Sequence, residues 1–143
     1  MNGIKPIALI VEDDEDLSII FSEALSAAGF ATEIIRNGRV ALGRLEDVTP
    51  EVVVLDMHLP EIAGTDILNF IRSQKRLSMT NVVVTTADAV MAEHVRESAD
   101  FVLIKPITFG QLRDLPITRQ YRKLSKHALE GGTGNRRSVR ATR

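Results

Sequence analysis

Ile7–Gly29 reads IALIVEDDEDLSIIFSEALSAAG, and this stretch holds the plan of the fold in miniature. Ile7–Val11 is an apolar run of strand length that stops at five consecutive acids, Glu12 to Asp16. Leu17, Ile20, Phe21, Ala24, Leu25 and Ala28 then recur at i, i+3, i+4, i+7, i+8 and i+11, which is one face of an amphipathic helix, and Gly29 ends it. One of Asp14, Glu15 or Asp16 is expected to cap that helix, where negative charge suits the dipole.

The strand–helix unit repeats along the chain. Phe30–Ile35 reads as a second strand and Arg39–Leu45 as a short helix before Pro50. Val52–Leu55 is a third strand, continuous and β-branched, as befits a strand covered on both faces. Ile67, Leu68, Phe70 and Ile71 mark a helix after Gly64; Val82–Thr85 is a fourth strand, Val90–Val95 lies in a short helix, and Phe101–Ile104 is a fifth strand before Lys105–Pro106. Five such repeats with short connections predict an α/β fold. The expected form is a doubly wound, five-stranded parallel sheet, with right-handed crossovers placing helices on both faces.

Composition narrows the class. The 143 residues suffice for one domain plus an appendage, and 44% hydrophobic with 26% charged residues is the balance of a globular protein. There is no cysteine, which excludes disulfides and thiolate metal sites. The opening MNGIKPIALIVEDD carries too short an apolar run for a secretory signal. No stretch approaches the roughly 20 apolar residues of a membrane span. The expectation is a soluble, cytoplasmic protein with no membrane insertion. The net charge of −1 hides an asymmetry: residues 1–114 carry 10 Lys+Arg against 18 Asp+Glu, and residues 115–143 carry 8 against the single acid Glu130. An acidic body is followed by a basic extension.

In doubly wound sheets, ligands bind beyond the carboxyl ends of the strands. Here those ends carry Glu12–Asp13 after strand 1, Asp56 after strand 3, Thr86 after strand 4 and Lys105 after strand 5. Three converging carboxylates repel one another and call for a cation. A hard divalent ion such as Mg²⁺, which prefers oxygen ligands and keeps several waters, meets that demand. With Lys105 as a compact positive charge and Thr86 as a hydroxyl at the same rim, the set can hold an acyl phosphate on a carboxylate.

The stretches ALIVEDDEDL, VVVLDMHLPEIAG, VVVTTADA and FVLIKP, in that order and each built on an apolar strand, resemble the signature segments of bacterial two-component response-regulator receiver domains, chemotaxis-regulator-like in form. The resemblance covers about residues 5–114, and it implies that the α/β sheet is flavodoxin-like, a doubly wound five-stranded parallel sheet in the order 2-1-3-4-5. It implies that Asp56 is the phosphoacceptor, Glu12 and Asp13 the acid pair with Asp13 a direct Mg²⁺ ligand, Asp56 a second ligand and the backbone carbonyl of His58 a third. It further implies that Thr86 is the switch hydroxyl, Lys105 the anchoring lysine and the Lys105–Pro106 bond cis. His58 and Asp88 occupy positions that border the phosphoryl group in the family, so they are expected to tune its lifetime.

Three features depart from the family pattern. Thr86 to Lys105 is only 19 residues, short by nearly one helical turn, which predicts a truncated fourth helix. Val102 stands where receivers commonly carry an aromatic residue that turns inward as the threonine moves. Leu115–Pro116 should interrupt or restart the last helix.

The expected function is phosphorelay signalling. Asp56 would be modified by a sensor histidine kinase or phosphotransfer protein, and the chain would regulate a downstream protein by conformational switching. No enzyme is expected beyond autophosphorylation from small phosphodonors and autodephosphorylation. The alternative is a pseudoreceiver, a pure interaction module: the intact Asp56, Asp13 and Lys105 argue against it, while Val102 and the short fourth helix keep it in play. A haloacid-dehalogenase-like phosphotransferase needs a second acid two residues after the nucleophile, where His58 stands, and there is no cap insertion.

The division expected is a receiver over residues 1–115 and a basic extension over 116–143, with no output domain. Ile117, Tyr121, Leu124 and Ala128 form an apolar stripe beside Arg119, Arg122, Lys123 and Lys126, suited to docking on the body, a homodimer or a partner. The run GGTGNRRSVRATR after Glu130 reads as disordered, and without aromatic interleaving it does not favour nucleic acid. His94 and His127 read as solvated surface.

Overall fold

The computed structural model describes residues 4–117 and the backbone of 139–141. In chain order the elements are β1 (Ile7–Val11), α1 (Glu15–Ala27), β2 (Ala31–Ile35), α2 (Gly38–Asp47), β3 (Val52–Asp56), α3 (Gly64–Ser73), a 3₁₀ turn (Lys75–Leu77), β4 (Asn81–Thr86), α4 (Ala89–Val95), β5 (Phe101–Ile104), α5 (Phe109–Arg113) and β6 (Val139–Ala141). All strands pair in parallel in the order β2-β1-β3-β4-β5-β6. The expected 2-1-3-4-5 sheet is therefore present, with one short strand added beyond β5.

Successive side chains of a strand point to opposite faces, and the two core layers follow that rule. Leu9, Val11, Val53, Leu55, Val82, Val84 and Val102 pack with residues of α2, α3 and α4 on one face. Ala8, Ile10, Val52, Val54, Val83, Phe101 and Leu103 pack with residues of α1 and α5 on the other. Burial on both faces explains why β1, β3 and β5 read as apolar runs, while the edge strand β2, only partly buried, carries Thr32 and Glu33.

Helix ends follow local chemistry. Asp14 is the α1 cap, its Oδ1 accepting the Leu17 N–H at 2.9 Å. At the other end Gly29 adopts φ 106°, and the Gly29 and Phe30 N–H groups return to the carbonyls of Ser26 and Leu25. Those are the two bonds of a Schellman motif. Phe30, expected to open the second strand, instead closes α1, and β2 begins at Ala31.

α4 is seven residues long, which bears out the truncation expected from the 19-residue spacing. α5 stops at Arg113, before Leu115–Pro116. Ile117, the first residue of the extension's apolar stripe, is buried in the α1/α5 layer. The rest of the stripe lies outside the described residues, as does His127. Within the run expected to be disordered, the backbone of 139–141 forms β6 along the edge of β5, with Phe101 opposite Val139 and Leu103 opposite Ala141. Strand addition proceeds through backbone groups, so it needs no apolar pattern in the added segment. No helix among the described residues is long and apolar enough to cross a membrane.

Candidate functional site

The parallel register brings the carboxyl ends of the strands to one rim: Val11 lies opposite Leu55, Asp56 opposite Thr85, and Thr86 opposite Ile104. Immediately past these ends stand Glu12, Asp13 and Lys105. The rim is kept narrow by α3, which starts against the end of β3. A Cβ on Gly64 would sit 2.5 Å from the Asp56 carbonyl oxygen and 2.6 Å from the Met57 Cα, both backbone atoms. Only glycine admits that approach.

The chemistry of the rim is carboxylate against ammonium. Glu12 and Asp56 are buried, at 1% and 2% exposure, while Asp13 is exposed. One oxygen from each of the three carboxylates lies within 4.8 Å of the others. Lys105 Nζ stands between the two buried acids, 3.2 Å from Glu12 Oε1 and 3.5 Å from Asp56 Oδ1. Asp56 Oδ1 also accepts the His58 N–H at 3.1 Å, and Glu12 Oε2 accepts the Asp14 N–H at 3.1 Å. The Lys105 N–H donates to the Thr86 carbonyl at 2.8 Å, and the Lys105–Pro106 bond is cis.

One ammonium does not balance three carboxylates. Burial pushes the Glu12 carboxyl up to about 7, the Asp14 N–H opposes the shift, the charge of Asp56 adds to it, and Lys105 also opposes it. Among the described residues Glu12 Oε1 has no partner besides the Lys105 ammonium at 3.2 Å. An all-oxygen donor set with surplus negative charge and an unfilled acceptor suits a hard divalent cation.

Thr86 is fully buried at the rim. Its Oγ1 accepts the Asp88 N–H at 3.0 Å and shares a hydrogen bond of 3.1 Å with His58 Nε2. Asp88 in turn caps α4, its Oδ1 accepting the Val90 and Met91 N–H groups at 2.9 and 3.2 Å. Glu12, Asp13, Asp56, Thr86 and Lys105 are thus brought together as the sequence suggested. The contact between the His58 ring and Thr86 was not foreseen, because nothing in the spacing fixes which way that ring turns. Val102 points away from the rim, 1% exposed in the layer that holds Ala92 and Val95 of α4. His94 is exposed on α4.

Residues 8–115 match the family described as response regulator receiver domain. The chain belongs to that family. The receiver is 35% identical over 115 residues to Regulatory protein AtoC of Escherichia coli, covering 78% of this chain and 24% of that protein. It is 30% identical over 110 residues to the Phosphate regulon transcriptional regulatory protein PhoB of Rhizobium meliloti, covering 75% of this chain and 48% of that one. It therefore spans between a quarter and a half of the length of these relatives. Among solved structures it resembles the signal receiver domain of the putative Luxo repressor protein from Vibrio parahaemolyticus, with TM-score 0.73, 25% identity, and coverage of 90% of this chain and 99% of that one. It also resembles a BeF3-activated DrrB receiver domain, with TM-score 0.70, 26% identity, and coverage of 85% and 99%. A receiver is a switch module of two-component signalling rather than a conventional enzyme.

Proposed function

We propose that this receiver takes a phosphoryl group onto Asp56 from a histidine kinase or phosphotransfer protein and passes the signal to a protein partner. The observation that carries the reading is the setting of Asp56. Its carboxylate is 2% exposed, accepts the His58 N–H and forms an ion pair with the Lys105 ammonium, beside the further acids Glu12 and Asp13. In the transfer, an Asp56 carboxylate oxygen forms the new P–O bond as the donor's P–N bond breaks, and the departing imidazole nitrogen keeps the electron pair and takes a proton. Lys105 then exchanges its contact with Asp56 for one with a phosphoryl oxygen, and the Thr86 hydroxyl moves toward the same group.

Glu12, Asp13 and Asp56, with the backbone carbonyl of His58, are the groups that would hold Mg²⁺. When bound, the ion would neutralise charge on the transferring phosphoryl group. The division of labour that follows is a receiver over residues 1–115 and a basic extension over 116–143, with the cytoplasm as the compartment shared with the kinase.

The test is incubation with Mg²⁺ and acetyl phosphate, followed by intact mass. Wild type gains one phosphoryl group and Asp56→Asn gains none. The pseudoreceiver reading, which the buried Val102 and the seven-residue α4 favour, predicts no gain in either protein.

A further inference from the structure

We infer that His58 is a positioning residue that latches Thr86 in its resting place, so that the first turn of α4, rather than an aromatic rotamer, carries the signal outward. This rests on the reading of Asp56 as the phosphoacceptor.

His58 touches both ends of the switch. Its N–H is on Asp56 Oδ1 at 3.1 Å and its ring Nε2 is 3.1 Å from Thr86 Oγ1. Where the Thr86 hydroxyl donates in that second bond, it must give the bond up to donate to a group on Asp56; where the ring N–H donates, the bond still ties Oγ1 to its resting place. A phosphoryl group supplies charged acceptor oxygens, and a hydrogen bond to such an oxygen is roughly twice as strong as a neutral one. The exchange is therefore downhill once Asp56 is loaded, and the latch sets its threshold.

The movement has a direct outlet. Thr86 Oγ1 also accepts the N–H of Asp88, the residue whose side chain caps the Val90 and Met91 N–H groups. Displacing Oγ1 disturbs the cap of a helix only seven residues long, in which one cap is a large share of the helix's hydrogen bonding. The first turn of α4 presents Val90 to solvent at 79% exposure, so a change there alters an apolar surface a partner can read. The alternative route is closed, because Val102 is packed at 1% exposure and has no ring to turn.

Two variants and two readouts test the latch. His58 is exposed, so His58→Ala should fold, and His58→Gln keeps a side chain able to hydrogen-bond. Amide hydrogen exchange without Mg²⁺ should quicken at Asp88, Val90 and Met91 in His58→Ala and return toward wild type in His58→Gln. Titration with beryllofluoride and Mg²⁺, followed by amide chemical shifts, should show the alanine variant saturating at about two- to fivefold lower concentration, since a partly exposed hydrogen bond contributes at the low end of the usual range. Unchanged exchange and unchanged saturation in His58→Ala, with wild type responding to beryllofluoride, overturn the latch and leave the phosphoacceptor reading standing. A wild type that does not respond overturns both.

Discussion

The two rims of the sheet treat buried acids in opposite ways. At the amino rim, Asp100 precedes β5 at 5% exposure, and its Oδ2 accepts from Arg72 Nη2 at 2.7 Å and from the Val82 N–H at 2.8 Å. The same guanidinium donates to the Ser98 carbonyl at 2.7 Å and the Thr80 carbonyl at 3.3 Å. One acid meets one base, and the pair staples α3 to the loop that follows the shortened α4. At the carboxyl rim, two buried acids share one ammonium at 3.2 and 3.5 Å, and the exposed Asp13 adds a third carboxylate beside them. Charge matched within the chain holds the fold, whereas surplus charge suits a cation from outside.

The largest expected effect breaks the matched rim. Arg72→Met strands Asp100 as an uncompensated buried charge and should cost about 3 to 5 kcal/mol of unfolding free energy. A shift in the urea midpoint measures it, while phosphorylation of the protein that remains folded stays intact. A smaller loss is expected from Gly64→Ala, whose Cβ would meet the backbone of Asp56 and Met57. Overpacking of that kind costs about 1 to 3 kcal/mol. Unlike Arg72→Met, it should also slow phosphoryl uptake from acetyl phosphate, because the atoms forced to move belong to the acceptor.

The smallest effect sharpens the contrast through pH. Glu12 titrates near 7 in the fold against 4.5 as a free side chain, so the native state binds the extra proton between those values. Stability from this group is therefore greatest below 4.5, falls as pH rises toward 7 and is flat above it. Glu12→Gln should flatten the ion-free protein's stability profile across that window, measured by denaturation at a series of pH values. A slope identical in the variant would place the strain elsewhere.

The sheet was legible because β1, β3, β4 and β5 are buried on both faces, which confines their polar side chains to strand ends. An acid, a threonine or a lysine after VVVL, VVVT or FVLI therefore stood out. The matched rim was invisible. Arg72 sits in the last turn of a helix, where a basic residue is ordinary, and its partner is 28 residues away with no pattern joining them. The His58–Thr86 bond was hidden for a related reason, since a ring orientation is decided by packing rather than by spacing. Phe30 was misplaced because an apolar residue after Gly29 serves a Schellman cap as well as a strand start. β6 escaped notice because an edge strand is recruited through its backbone, which an arginine-rich tail supplies as well as any other segment.

If the surplus acids of the carboxyl rim bind a divalent cation, the ion must stabilise the folded protein. Thermal unfolding with and without Mg²⁺ at pH 8, on wild type and Asp13→Asn, tests it most directly. Wild type should melt at a higher temperature with the ion, and the variant should lose most of that gain. A melting temperature indifferent to Mg²⁺, or equal stabilisation of both proteins, would contradict it.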